Sequence, residues 1–152
     1  MHHPLQISRR IEYGLRAMVC LAAQPEGRVM SFREIARRMT VPQDFLAKIL
    51  KQLVTRELVT SARGAHGGYR LGRPARQISF LEVIEAVEGP VMVNLCQEGH
   101  DACRMSRACT LYGVWKRGQE QMLDVYRTAT LDQLAMGELR APEPLPVAAA
   151  GG

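Results

Sequence analysis

Between Leu95 and Cys109 the chain runs Leu-Cys-Gln-Glu-Gly-His-Asp-Ala-Cys-Arg-Met-Ser-Arg-Ala-Cys, and this stretch limits what the rest can build. Three of the four cysteines lie in it, with six residues between the first pair and five between the second. A segment this polar cannot bury itself in a core, yet cysteine is among the residue types most often found inside. The core must therefore come from the flanking sequence, and thiols gathered on an exposed loop have something to hold or to sense. Structural zinc sites usually open with two cysteines about two to four residues apart, which form a tight knuckle. The wider gaps here suit a loop wrapped around something larger, and cysteine thiolates are the usual ligands of iron–sulfur clusters. The alternatives are a disulfide or thiol switch and three unrelated cysteines; three is odd, so a single bridge leaves one thiol over.

The chain of 152 residues fits one domain, or a small domain with an appended arm. Hydrophobic residues make up 47% and aromatics only 5%, so Leu, Val, Ile, Met and Ala must fill the core. No apolar run approaches the ~20 residues needed to span a bilayer. No continuous apolar stretch follows Met1-His2-His3-Pro4-Leu5, so no signal peptide is expected. The expected location is cytoplasmic, where thiols stay reduced, which favours a metal site over structural disulfides. The net charge of +5 is unevenly placed: through Arg76 there are 14 Lys and Arg against 5 Asp and Glu, a net +9, and the remainder nets −4. A basic half joined to an acidic half points to a polyanion-binding module with a separate effector or partner region.

Ser8 can cap a first helix running to about Gln24 that is apolar over most of its surface, as suits contact with both its own core and a second subunit. Cys20 on that helix packs as a small hydrophobe. Glu12 is its only acid and stands near its start, where the helix dipole favours a carboxylate. Ser31 and Glu34 form a capping-box pattern for a short helix to Met39. Pro42 suits the first position of the next helix. Phe45, Leu46, Ile49, Leu50 and Leu53 form the buried stripe of that helix, and Gln43, Asp44, Ala47, Lys48 and Lys51 face outward. Two helices joined by a short turn, the second presenting an amide, an acid and cations, read as a helix-turn-helix. Leu58–Ser61, a turn at Gly64–Gly68 and Tyr69–Leu71 then form a hairpin, the wing of a winged helix. Arg63 is the side chain expected to enter a minor groove. His66 and Gly67 stand beside it, with glycines that let backbone approach a surface closely. Ser31, Gln43, Asp44, Lys48, Lys51, Arg63, His66 and Gly67 are the expected DNA contacts.

Ser79 and Glu82 form a second capping box, opening a helix that stops at Gly89-Pro90. After the cysteine segment, Thr110 can cap a long helix to about Tyr126. Its Leu111, Trp115, Gly118, Met122 and Val125 recur at spacings of four and three, a stripe suited to pairing with a second subunit. A last turn of helix covers Thr130–Leu134, and residues 135–152 read as a disordered tail. The fold expected is mainly α with a small β-hairpin wing. Residues 1–76 form the winged helix-turn-helix region, and residues 77–134 the cysteine loop and long C-terminal dimerisation helix.

Several short patterns together resemble a known family, the winged-helix iron–sulfur regulators typified by IscR and NsrR. They are Tyr13-x-x-x-Ala17-Met18, Glu34-Ile35-Ala36, Leu50-x-x-Leu53, Leu58-Val59, Arg63-Gly64-x-x-Gly67-Gly68-Tyr69-x-Leu71 and Ile84-x-Ala86-Val87-Glu88. The resemblance runs from about Leu5 to Leu134. It implies a homodimer that binds a palindromic operator in double-stranded DNA, away from any membrane. It also implies an iron–sulfur cluster, 2Fe–2S or 4Fe–4S, on Cys96, Cys103 and Cys109. Two positions depart from the pattern. Glu57 stands where many members carry glycine. Tyr112 stands where IscR-like members can supply a histidine ligand, and Glu12 occupies the place from which other members supply a carboxylate from the partner's first helix. His100 and Asp101 are weaker candidates for that fourth position.

Two function classes follow. One is a transcription regulator, acting as a repressor, whose operator binding is controlled by the cluster or, without a cluster, by a thiol/disulfide switch. The other is an enzyme or cluster carrier. No nucleophile–base pair, phosphate loop or dinucleotide fingerprint supports the second.

Overall fold

The computed structural model describes residues 7–98, 103, 105 and 108–137. Helix α1 (Arg9–Ala22) starts where expected, with Ser8 Oγ accepting the Ile11 N–H at 3.2 Å. Helix α2 (Phe32–Met39) is capped by Ser31, but only half of the expected box forms. The Glu34 carboxylate turns instead to Arg38 at 2.8 Å and Arg28 at 3.5 Å. A single left-handed residue, Thr40, ends α2. Helix α3 (Gln43–Thr55) follows, with Pro42 at its cap rather than inside it.

Strands β1 (Val59–Ala62) and β2 (Gly68–Leu71) pair antiparallel, Val59 opposite Leu71 and Ala62 opposite Gly68. Met30 extends this wing as a one-residue third strand, exchanging hydrogen bonds of 2.9 and 2.8 Å with the Tyr69 backbone. The approach is so close that a Cβ on Gly68 would lie 2.1 Å from the Met30 carbonyl oxygen, so only glycine fits there. At the foot of the wing Glu57 has φ 60°, the left-handed conformation that glycine adopts at little cost. The turn is thus kept without the glycine.

Helix α4 (Phe80–Glu88) carries the complete Ser79–Glu82 capping box and ends at Gly89. Burial pushes the Glu82 carboxyl up, but hydrogen bonds from Arg73 and the Ser79 backbone, with the Arg73 charge, outweigh it and hold it below its ordinary value. Helix α5 (Tyr112–Thr128) is longer than any other helix described, and α6 (Leu131–Met136) brings the chain back. Phe80 N–H donates to Ala129 O at 2.8 Å and Leu131 N–H to Ile78 O at 3.0 Å, which ties the start of α4 to the start of α6. Gly137, left-handed, closes α6 two residues beyond its expected end; the remainder of the expected tail lies outside the described residues.

One core joins these elements. Met18, Met30, Ile35, Leu46, Ile49, Leu50, Leu53, Ile78, Val83 and Leu131 are fully buried in it, so the core draws on residues from both sides of position 76. Gly14 lets α1 and α4 pack tightly, since a Cβ there would lie 2.9 Å from Val87 Cγ2. Cys20 is buried as expected, its Sγ 4.0 Å from Met30 Sδ, and burial pushes its thiol up, away from the thiolate a ligand must be. Phe45 departs from its expected place in the buried stripe: it is 49% exposed. No helix among the described residues is long and apolar enough to cross a membrane.

Candidate nucleic-acid interface and thiol segment

The helix-turn-helix presents its polar residues outward. Gln43, Asp44, Lys48 and Lys51 are all exposed on α3, while Leu46, Ile49, Leu50 and Leu53 anchor the opposite face. Ser31 is exposed at the start of α2, and the Met30–Tyr69 bridge sets it against the wing, its Cα 3.0 Å from where a Gly68 Cβ would be. Arg63 and His66 are exposed in the turn between β1 and β2. Gly67 is half-buried, and its conformation serves the turn itself: a Cβ would lie 2.5 Å from the Ala62 carbonyl oxygen, and its N–H donates to Gly64 O at 3.0 Å.

Sequence reading passed over Arg33 and Arg37. Both are exposed on α2 and border the same surface depression as Ser31. Their spacing of four on a helix capped by Ser31 was the available signal, since residues i and i+4 share a face. Arg28, Arg70, Arg73 and Arg76 line a cavity of about 400 Å³ at the base of the wing. Arg28 and Arg73 there are paired to Glu34 and Glu82.

The thiol segment is built differently. Val93 N–H donates to Gln119 Oε1 at 2.9 Å, fastening the chain to α5 just before the cysteines. Cys96 sits in a short turn of helix, Leu95–Gln97, and the neighbouring Gln97 Nε2 donates toward its Sγ at 3.8 Å. Cys103 and Cys109 follow, and all three thiols are free and half-buried. Cys109 O accepts the Tyr112 N–H at 3.3 Å, joining the segment to α5. The expected cap at Thr110 does not form; Leu111 occupies the cap position without a side-chain bond. His100 and Asp101 lie outside the described residues.

Glu12 is exposed on α1 and pairs with Arg16 one turn on. Ile7, Ser8 and Ile11 near it line a cavity of about 430 Å³ together with Met92, Val93 and Met122. The start of α1 and the approach to the cysteines are therefore neighbours. Among the described residues, no three His, Cys, Asp or Glu side chains converge as a set for one metal ion, so a single chain does not gather Cys96, Cys103, Cys109 and Glu12. The donor chemistry nonetheless fits a cluster: three free thiols on one polar segment, with an amide N–H at one sulfur.

Helix α5 has no buried residue. Val114 is 70% and Val125 63% exposed, and Leu111 and Trp115 are exposed beside them. Met122 faces the chain's own cavity, and Tyr126 packs on Phe80 with ring centroids 5.0 Å apart.

Comparison with known proteins adds the following. The family described as Rrf2, iron-dependent transcriptional regulator, matches residues 7–137. A helix-turn-helix-type transcriptional regulator of Mycobacterium tuberculosis is 35% identical over 136 residues, 89% of this chain and 84% of the relative. CymR, the global cysteine regulator of B. subtilis, has a structure similar at a TM-score of 0.72 and 29% identity, over 88% of this chain and 98% of CymR. T. potens IscR is similar at a TM-score of 0.72 and 25% identity, over 93% of this chain and 94% of IscR. The oxidised form of Staphylococcus aureus CymR is similar at a TM-score of 0.66 and 30% identity, over 86% of this chain and 96% of that one.

Proposed function

The chain belongs to the Rrf2 family and is a winged-helix transcriptional regulator, not an enzyme, and we propose that an iron–sulfur cluster on Cys96, Cys103 and Cys109 sets its hold on DNA. The observation that carries this reading is the set of three free, half-buried thiols on one polar segment between α4 and α5. Half-burial leaves a sulfur able to bind iron while shielding it from bulk water. The Gln97 N–H directed at Cys96 Sγ is the kind of contact that tunes a cluster's potential. Once bound, such a cluster, 2Fe–2S or 4Fe–4S, supplies redox change and ligand exchange at iron.

The fourth donor is Glu12 of a second copy. Among the described residues this carboxylate is held by an exposed i,i+4 pair with Arg16, worth roughly 0.3–0.5 kcal/mol, which a metal–ligand bond can displace. A carboxylate is a harder ligand than a thiolate and exchanges more readily at iron, as a sensor requires. The second copy pairs along α5 and its cap residue, where Leu111, Val114, Trp115 and Val125 are exposed. The two heads then read a palindromic operator, as a repressor. Gln43, Asp44, Lys48 and Lys51 enter the major groove, Arg63 the minor groove, Ser31 and His66 meet phosphates, and Gly67 shapes the turn that brings the wing tip to the backbone.

A second reading is favoured by the same free thiols and by the similarity to a regulator known in an oxidised form. In it two of the thiols lose two electrons and two protons to form a disulfide without a cluster, and hydrogen peroxide accepts them and leaves as two waters.

Iron and sulfide measured per dimer after oxygen-free purification test the proposal. The wild type should hold both with charge-transfer absorbance, Cys103→Ala should hold neither, and Glu12→Ala should dimerise yet bind its cluster weakly. Iron-free wild type whose DNA binding follows added thiol reductant would establish the disulfide switch instead. Wild-type iron in Glu12→Ala would move the fourth donor elsewhere.

A further inference from the structure

Phe45 stands on the first turn of α3 between exposed Asp44 and exposed Ala47 and Lys48, while Leu46 beside it is fully buried. A single exposed apolar residue ordinarily needs no explanation. This one is held out by a brace. The Tyr13 ring of α1 meets it edge-on, with centroids 5.8 Å apart and planes at 71°. The Arg16 guanidinium lies over the Tyr13 ring, 5.9 Å from its centroid. An edge-to-face pair of this kind fixes ring orientation as well as position. The result is an exposed apolar surface, backed by α1, on the helix turn that is expected to enter the major groove.

We propose that Phe45 is a specificity-determining residue whose ring packs on the C5-methyl group of a thymine in each operator half-site. This rests on α3 being the recognition helix. In the major groove the thymine methyl is the one apolar group that a base pair presents; the other edge groups are hydrogen-bond donors and acceptors. A phenyl ring set against those groups strips them of water and returns no hydrogen bond, which is unfavourable. The ring therefore favours thymine at one position and disfavours the alternatives there. Tyr13 is a positioning residue for it.

The test starts from duplexes selected out of a random pool by the purified wild-type protein. Each thymine of the half-site is then replaced by uracil, which removes only the methyl group, and affinity is measured at constant salt. One replacement per half-site should weaken the wild type by about fivefold to tenfold. Phe45→Ala should bind the thymine duplex that much more weakly and show no further loss with uracil there, while Phe45→Leu restores part of the preference. Equal uracil penalties in the wild type and Phe45→Ala would overturn the proposal. So would a Phe45→Ala defect in dimerisation alone, which would assign the ring to a protein interface. If the wild type bound no duplex, the recognition-helix reading would fall as well; if it bound specifically without a uracil effect, only the Phe45 proposal would fall.

Discussion

Helices α3 and α5 carry similar apolar stripes at helical spacing, yet the fold treats them in opposite ways. In α3 the residues Leu46, Ile49, Leu50 and Leu53 are wholly removed from water, and α1, α4 and the wing close around them. In α5 no residue is buried; it is anchored by Phe80 against Tyr126 and by the Gln119 side chain, while most of its stripe faces outward. Periodicity alone announces that a face will be covered and does not say by what. The head of the molecule supplies its own cover. The excursion from residue 91 to 128 holds three free thiols and, among the described residues, a helix with no residue buried, the features on which the proposed cluster and second copy rest.

The contrast also exists in charge, and salt should expose it most strongly. The half through Arg76 has 14 cations against 5 acids. A dimer making about 6–10 phosphate contacts with it should lose ~10³–10⁵ in operator affinity between roughly 50 and 200 mM salt, as read by fluorescence anisotropy. A nearly flat response would remove the polyanion role from the head. Next in size is a paired substitution. Leu50→Ala should cost about 2–5 kcal/mol of stability in urea melts, because it empties a close-packed site. Val125→Ala should shift the monomer's stability by less than about 0.5 kcal/mol while weakening dimerisation in sedimentation. Equal destabilisation by both would show α5 to be core after all. The smallest effect lies within the head. Glu57→Gly should raise stability by roughly 0.5–1 kcal/mol, since glycine meets the left-handed φ of 60° without the steric cost of a Cβ. Unchanged or lower stability would mean that the greater freedom of glycine in the unfolded chain offsets the relief.

Much of the head was legible because its signals act over three or four residues. Ser8, Ser31 and Ser79 cap the helices they were expected to cap, and Gly89 ends α4. The 3.6-residue period put Leu46, Ile49, Leu50 and Leu53 inside, and the glycine-rich turn before Tyr69 announced the wing. The outward positions of Gln43, Asp44, Lys48 and Lys51 follow from the same period. Glu34 shows the limit of such rules, because Arg28 and Arg38 competed for the carboxylate that its own helix start could have used.

Local chemistry along the chain therefore determined the helix starts and stops, the inner face of α3, the hairpin and the clustering of three thiols in a segment too polar to bury. Contacts between residues distant in sequence decided the rest. Tyr13, 32 residues before Phe45, braces that ring in a half-exposed position that the period of α3 assigned to the core. Met30 became a third strand because Gly68 has no Cβ to keep it away. The antiparallel link between residues 78–80 and 129–131 returned α6 to the head and left α5 outside it. Each of these outcomes depends on which surfaces meet once the chain has collapsed, and a pattern with a range of one helical turn carries no information about that meeting.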